Sequence, residues 1–237
     1  MGERAIRLPP AILGRLARSR ATLSRTWIVG RSEVRRRAGP VIRRSFDAVV
    51  GCTGLLLATP VLGAAAVLVK LTSPGPVFFR QVRIGLLGQP IVVRKIRTMH
   101  TDAEKRLESL VSKNESEGGV TFKIRRDPRV TPVGRILRKL SIDELPQLWN
   151  LVEGSMTTFG PRPPIPREVA LYGVHERRRL EVKPGLTCLW QVSGRSDLNF
   201  DKQVSLDIEY IDNATLADEA RILLRTVPAV VSGKGAY

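Results

Sequence analysis

One uninterrupted apolar run dominates the hydropathy pattern of the chain. The 22 residues from Ala48 to Val69 carry no charged side chain, and Asp47 and Lys70 bound them. This length exceeds the roughly 20 residues that a helix needs to cross the hydrocarbon core of a bilayer. The run lies too far along the chain for a cleaved signal peptide. The pattern therefore predicts a membrane helix, and a buried core helix of a soluble protein is the alternative.

The dipeptide Thr59-Pro60 stands in the middle of this run. A proline there removes a backbone hydrogen bond and clashes with the preceding turn, which kinks a helix. The Thr59 hydroxyl can add to the bend by bonding a carbonyl one turn earlier. Basic residues flank the run on both sides, so they favour neither orientation of a simple crossing. We therefore expect a re-entrant helix–break–helix with both ends on the cytoplasmic side, and a kinked single crossing stays open.

The remainder of the chain predicts a small, mainly helical α+β domain. After the turn cluster Ser73–Pro76, the β-branched runs Val77–Ile84 and Pro90–Ile96 predict a hairpin. The segments expected to be helical are Thr101–Ser112, Val133–Leu140, Ile142–Asn150, Arg167–Val182, Asp197–Asn213 and Thr215–Ser232. This gives three units: a basic arm over 1–42, a re-entrant membrane helix over 43–72 and a cytosolic domain over 73–237.

The charge balance restricts the class of partner. The chain has 39 Lys and Arg against 22 Asp and Glu, a formal net charge of +17. Twelve arginines and only two acidic residues fall within residues 1–46. Such an excess requires an anionic partner, which can be nucleic acid, an anionic membrane surface or a phosphorylated substrate. Two cysteines exclude a disulfide framework, and no Cys/His cluster has zinc-site spacing.

Two adjacent carboxylates, Asp143 and Glu144, form the first candidate for chemistry. They lie in the run Arg138–Asn150, at the expected start of a helix, where free N–H groups and the dipole favour ionised carboxylates. An ionised Asp can attack phosphorus while its neighbour helps to hold a divalent cation. The spacing of Ser141 and Glu144 also fits a plain capping box, so the pattern alone leaves both interpretations open.

Rigid arginines form the second candidate. Arg162 stands between Pro161 and Pro163, and Arg195 follows Gly194. A stiff backbone aims the guanidinium, which suits bidentate binding of phosphate. Surface salt bridges are the simpler alternative for each arginine alone. Neither a Walker-type phosphate loop nor a strand-linked dinucleotide-binding motif is present in the sequence.

The order of these motifs resembles the bacterial sugar transferases, also called monotopic phosphoglycosyl transferases. The resemblance runs from about Arg43 to Tyr237. Within the family, the chain is similar to the branch that transfers glucose or galactose phosphate to undecaprenyl phosphate in exopolysaccharide synthesis. The matching strings are SPGPVFFRQVRIG, VVRKIRTM, LRKLSIDELPQLWNLVEG, FGPRP, KPGLTCLWQVSGRS and SGKGAY.

The resemblance implies a reaction and a set of roles. A UDP-sugar would donate a sugar 1-phosphate, here a hexose 1-phosphate, to undecaprenyl phosphate, and UMP would leave. Asp143 would be the nucleophile that forms a covalent phosphosugar intermediate, and Glu144 would help to bind Mg²⁺. The residues implied in phosphate and nucleotide-sugar binding are Lys95, Arg97, Arg138, Arg162 and Arg195. Thr59-Pro60 matches the family's re-entrant break, which strengthens the re-entrant interpretation.

The resemblance also implies a location at the cytoplasmic face of the bacterial inner membrane, with anionic lipids as a further partner and no nucleic acid. A homodimer is left open. One departure concerns Ser155, which stands where the family usually has an acidic residue. The competing class is a membrane-anchored, non-enzymatic adaptor whose basic arm binds nucleic acid or a protein. A metal-dependent phosphatase acting on lipid diphosphates is a third class.

Overall fold

A computed structural model of the chain describes residues 39–116, 120–233 and 235. Most of the predicted basic arm, residues 1–38, lies outside the described residues, so the prediction for it stays a prediction. The helices are α1 (Pro40–Thr72), α2 (Pro132–Lys139), α3 (Leu148–Glu153), α4 (Pro166–Ala170), α5 (Val174–Arg177), α6 (Phe200–Asn213) and α7 (Leu216–Ser232). The strands are β1 (Phe78–Ile84), β2 (Pro90–Ile96), β3 (Thr157–Phe159) and β4 (Gly185–Thr187).

Helix α1 contains the whole apolar run. It has 33 residues, begins three residues before the predicted boundary, and keeps Pro60 in its interior. It is the one helix among the described residues that is long and apolar enough to cross a membrane. The Thr59 hydroxyl donates to the Leu55 carbonyl at 2.8 Å, as the sequence predicts. The segment is one continuous helix rather than two helices separated by a break, and its re-entrant path stays a prediction.

One face of α1 packs against the rest of the protein along almost its full length. The buried positions are Asp47, Gly51, Ala58, Ala65 and Val69. They are separated by four or seven residues, that is, by one or two helical turns, so they form a single stripe of mostly small side chains. A Cβ on Gly51 would lie 2.9 Å from the Leu148 carbonyl oxygen, and this proximity explains the glycine. The remaining faces of α1 expose large apolar side chains.

Polar contacts fix the amino-terminal end of α1 to the same body. The buried Asp47 carboxylate accepts from the Thr158 N–H at 2.7 Å and from the Thr158 hydroxyl at 2.7 Å. Arg43 forms an ion pair of 2.5 Å with Glu219 in α7. Arg44 donates to the Leu151 carbonyl at 2.9 Å. The amino-terminal end of α1 is therefore attached to the folded domain by polar contacts.

The predicted hairpin is confirmed. Strands β1 and β2 pair antiparallel from Phe78 opposite Ile96 to Ile84 opposite Pro90. The sequence did not predict the second sheet, in which the three-residue strands β3 and β4 run parallel. There a Cβ on Gly185 would lie 2.2 Å from the Gly160 nitrogen, so only glycine allows the two backbones to approach. This contact fixes the start of the Gly160–Arg162 segment.

The sequence predicts some of the helices correctly and others wrongly. The two closing helices are confirmed as α6 and α7, and α2 matches the expected Val133–Leu140 to within one residue. The expected continuous helix over Arg167–Val182 is wrong, because the structure divides it into α4, α5 and a 3₁₀ turn. Gly173 separates α4 from α5 in an extended conformation. The Thr101–Ser112 helix reduces to turns and a 3₁₀ helix over Glu108–Lys113.

Candidate active site

A cavity of about 690 Å³ opens between the β1–β2 hairpin, the end of α2 and the loops that follow β3 and β4. This volume lies within the range of pockets that hold small molecules. The predicted site residues that line it are Lys95, Arg97, Arg138, Asp143, Glu144, Arg162 and Arg195. Residues that are distant in the sequence are thus collected in one place.

Glu144 is neutralised by two cations. Its Oε1 accepts from Lys95 Nζ at 2.7 Å and from Arg162 Nη2 at 2.8 Å. Lys95 comes from β2, and Arg162 comes from the rigid turn after β3. Burial alone would raise the pKa of the Glu144 carboxyl, but Arg162 and Lys95 outweigh it and hold this pKa well below its usual range. In turn, the Glu144 carboxylate raises the pKa of Arg162.

Asp143 has a different environment. Its side chain is 7% exposed, lines the cavity and forms no hydrogen bond or ion pair with any described residue. Burial raises the pKa of this carboxyl to about 6, with Lys95 opposing the rise and the Glu144 charge adding to it. At pH 7 about nine tenths of the groups would therefore be ionised. The result is an anion with free lone pairs, which is what a nucleophile requires.

The capping interpretation of Ser141 and Glu144 is wrong. Ser141 has a left-handed backbone with φ of 55°, and its side chain caps no helix. The carboxylates lie in a 3₁₀ helix over Ile142–Gln147, with Pro146 inside it, and α3 begins only at Leu148. An α-helix dipole therefore does not explain the ionisation of Asp143 and Glu144. Cations control the ionisation of Glu144, and burial dominates that of Asp143.

The other predicted cations divide into two groups. Arg138 and Arg195 face the carboxylates without forming an ion pair with either of them. Arg138 donates through Nε to the Thr98 hydroxyl at 2.9 Å, which leaves the outer nitrogens of its guanidinium directed elsewhere. Arg97 lines the cavity wall, but its guanidinium bonds Ser73 Oγ at 2.6 Å and the Pro76 carbonyl at 2.5 Å. These contacts hold Arg97 against the turn that follows α1, and the phosphate-binding role expected for it stays a prediction.

Arg83 is a site residue that the sequence reasoning did not select. It lines the cavity, and its Nη1 donates to the Pro163 carbonyl at 2.8 Å. Arg83 thus supports the turn that presents Arg162. The register of the hairpin could have identified Arg83. Phe79 lies opposite Lys95, and Arg83 is two strand periods from Phe79. Arg83 and Lys95 consequently share one face of the hairpin.

Ser155 lies outside this cluster. Its hydroxyl accepts from the buried Asn150 side chain at 3.0 Å, and Asn150 in turn donates to the Val92 carbonyl at 2.7 Å. These contacts tie the end of α3 to β2. In this chain Ser155 therefore makes a structural contact with Asn150, and its hydroxyl bonds neither Asp143 nor Glu144.

Comparison with known proteins agrees with this arrangement. A family model described as bacterial sugar transferase matches residues 38–233. The exopolysaccharide production protein ExoY of Rhizobium meliloti (strain 1021) is 41% identical over 202 residues, which cover 84% of this chain and 89% of that protein. The undecaprenyl-phosphate galactose phosphotransferase of Salmonella typhimurium is 36% identical over 206 residues, which cover 85% of this chain and 43% of that protein. The UDP-glucose:undecaprenyl-phosphate glucose-1-phosphate transferase of Caulobacter vibrioides is 39% identical over 203 residues, 82% of this chain and 72% of that protein.

Proposed function

The chain belongs to the bacterial sugar transferase family, and from this premise we propose that it transfers a sugar 1-phosphate from a UDP-sugar to undecaprenyl phosphate with release of UMP. The observation that carries the proposal is the buried, unbonded Asp143 carboxylate on the wall of a cationic cavity. The names of the relatives supply the acceptor and the donor class, since two of them are named for transfer to undecaprenyl phosphate and one for a UDP-glucose donor. A non-enzymatic adaptor would explain neither the buried Asp143 carboxylate nor the cationic cavity around it.

The proposed chemistry has two steps. A carboxylate oxygen of Asp143 attacks the phosphorus that bears the sugar, and the bond from this phosphorus to the bridging oxygen breaks as UMP leaves. An oxygen of the lipid phosphate then attacks the same phosphorus and releases Asp143 as a carboxylate. Lys95 and Arg162 hold Glu144, while Arg138 and Arg195 are placed to offset the negative charge of the phosphates.

The proposal includes Mg²⁺. The carboxylate oxygens of the site fit this ion only together with phosphate oxygens of the substrate. The described residues contain no group of three or more His, Cys, Asp or Glu side chains that could hold a metal by themselves. Mg²⁺ is commonly bound by one or two carboxylates together with substrate phosphates. Glu144 Oε2, which accepts only a long 3.4 Å bond from Arg162, and the free Asp143 oxygens are the available donors. Bound there, the ion would neutralise charge on the diphosphate.

A panel of UDP-sugars tests the reaction. Purified protein in nanodiscs is incubated with Mg²⁺, undecaprenyl phosphate and each UDP-sugar, and released UMP and lipid-linked sugar are measured. We expect UMP and a lipid diphosphate sugar in equal amounts with at least one UDP-hexose. Release of inorganic phosphate would indicate a phosphatase, and failure with every donor would contradict the proposal.

The packing of α1 supports a monotopic arrangement at the cytoplasmic face of the inner membrane. The packed stripe extends from Asp47 to Val69, a distance of about 33 Å at 1.5 Å per residue. This is as long as the hydrocarbon core is thick. If α1 crossed straight through, the elements packed on it would have to follow it into the hydrocarbon. If α1 bent at Pro60 and left the membrane on the side where it entered, the domain and its cavity would stay in water.

Cysteine labelling tests this topology. In a Cys52→Ser background, Val41→Cys places a thiol at a position that is 76% exposed before the apolar run, and Val111→Cys marks the domain at a position that is 53% exposed. We expect an impermeant maleimide to label both thiols only after the membrane is opened. Labelling of Val41→Cys from the periplasm of intact cells would show a crossing helix.

The pKa of Asp143 predicts an acid limb in the pH profile. Only the ionised carboxylate attacks, and burial raises its pKa to about 6, so kcat/KM for UMP release should fall as the pH decreases through about 6. Since Lys95 lowers this pKa and the Glu144 charge raises it, Lys95→Gln should move the limb to higher pH and Glu144→Gln to lower pH. Single-turnover release without lipid is the appropriate measurement, because phosphate monoesters themselves titrate near pH 6. A limb near pH 4 in the wild type would contradict the assignment.

A further inference from the structure

Two residues with an unusual backbone meet beside the carboxylates. Ser141 has φ of 55° and Arg195 has φ of 54°, and neither is glycine. The left-handed conformation is unfavourable for residues that have a Cβ, so it persists where the surrounding structure requires it. The two residues touch, since Arg195 Nη2 donates to Ser141 Oγ at 3.1 Å. The strained positions are thus the two ends of a single hydrogen bond in the cavity.

This hydrogen bond leaves half of the guanidinium free. Arg195 Nη1 is buried and has no hydrogen-bond partner in the described part of the chain. A buried donor without a partner is costly unless a ligand satisfies it. Ser141 holds one nitrogen of the planar guanidinium, which restricts the position of the other, and the group lines the cavity close enough to Glu144 and Asp143 to interact with their charges. The arrangement presents one cationic donor to an anion in the cavity.

Two glycines near the carboxyl terminus pack beside the segments that carry the Arg195–Ser141 hydrogen bond. Gly233 and Gly235 have φ of 60° and 66°. The Gly235 carbonyl accepts from the Ser196 N–H at 3.3 Å, and a Cβ on Gly235 would lie 3.0 Å from Arg195 Cβ. A Cβ on Gly233 would lie 3.0 Å from the Lys139 carbonyl oxygen, two residues before Ser141. The two glycines therefore bridge the chain that leads to Ser141 and the turn that carries Arg195.

We propose that Ser141, together with Gly233 and Gly235, positions Arg195 so that its free nitrogen binds the diphosphate of the nucleotide substrate. Ser141 acts here as a positioning residue, since it contacts Arg195 and takes no part in bond making. The proposal rests on the proposed function for the identity of the substrate. The structural part stands on contacts alone, so UDP without a sugar is a suitable probe.

A double-mutant cycle tests the role of Ser141. Binding of UDP is measured by calorimetry on the full chain in nanodiscs, together with KM and kcat for UMP release. Ser141→Ala should weaken UDP binding and raise KM about tenfold, with kcat less affected, because the hydrogen bond to a charged group is lost. In an Arg195→Ala background the same change should have no further effect. An equal loss in both backgrounds would overturn the proposal.

Further variants separate the contact from the strain. Ser141→Gly relieves the left-handed strain but removes the hydroxyl, so it should fold well and still bind UDP about tenfold more weakly. Gly235→Ala should weaken binding by a similar factor through displacement of the Arg195 turn. Gly63→Ala is the matched control, since a Cβ there has no atom within 4 Å, and its binding should stay unchanged. Wild-type affinity in Ser141→Gly or Gly235→Ala would contradict the proposal.

The positioning role of Ser141 and the proposed transferase activity are distinguished by different outcomes. If the wild type releases UMP but the cycle is additive, the proposed function stands and the positioning role falls. If the cycle shows coupling in UDP binding but no donor yields UMP, the positioning role stands and the proposed function falls.

Discussion

Asp143→Asn is expected to lower UMP release from the UDP-sugar by at least about 10³-fold, because it removes the attacking oxygen of a covalent mechanism. The change is nearly isosteric, and the Asp143 side chain forms no hydrogen bond with the described residues, so the fold should tolerate it. The measurement is the rate of UMP release, combined with mass spectrometry of the protein after a pulse of donor. We expect a phosphosugar adduct on the wild type and none on the variant.

The stability of this variant gives an independent check. Burial raises the pKa of Asp143 above its unfolded value, to about 6. A raised carboxyl pKa means that the ionised form at pH 7 destabilises the folded chain, and this cost develops as the pH rises from about 4 to 6. Removal of the charge should therefore leave Tm unchanged or higher at pH 7. Asp201→Asn, on the exposed side of α6, is the matched control and should retain activity. Wild-type turnover in Asp143→Asn would rule out its role as nucleophile.

Arg162→Met is the second change with a large expected effect. Among the described residues, it leaves Glu144 with Lys95 as its only ion-pair partner, and it removes the guanidinium that the Pro161–Pro163 turn presents. Loss of one preorganised cation at a phosphoryl-transfer site costs roughly 10²–10³-fold in rate. The partly uncompensated Glu144 carboxylate should also lower the free energy of unfolding by roughly 1–3 kcal/mol.

Two further variants make this result specific. Arg162→Lys keeps the charge but cannot form both bonds from one planar group, so its activity should lie between the wild type and Arg162→Met. Arg221→Met removes an arginine that is 70% exposed and that, within the described ranges, pairs only with the nearby Asp218 on α7, and it should change neither rate nor stability. Rates are measured as UMP release, and stability by thermal unfolding in nanodiscs. Equal activity of Arg162→Met and the wild type would show that Arg162 does not stabilise the charge of the phosphates during transfer.

The pairing of β3 with β4 shows why part of the fold escaped prediction. Each of these strands has three residues, which is too short for a period to be visible in the sequence. Their pairing depends on the approach of Gly160 and Gly185, which are separated in the chain by helices and turns. The hairpin β1–β2 could be predicted because its two runs are adjacent and joined by a short glycine-bounded loop. Local patterns therefore gave the hairpin and the terminal helices, but not the small sheet that places Arg162.

The candidate site shows the same division. The sequence itself identified the carboxylate pair, the rigid arginines, the apolar helix with Thr59-Pro60 and, through motif order, the family. The residue pattern alone could not separate the roles of Asp143 and Glu144, since they are adjacent carboxylates, and only the family resemblance assigned Asp143 as the nucleophile. The tertiary structure brings Lys95 and Arg162 to Glu144 and leaves Asp143 buried, with no hydrogen-bond or ion-pair partner in the part of the chain that is described. It also turns Arg97 to the Ser73 turn and pairs Arg195 with Ser141. The physical reason is that charge, burial and hydrogen bonding at these side chains depend on groups that are distant along the chain, and only folding brings those groups into contact.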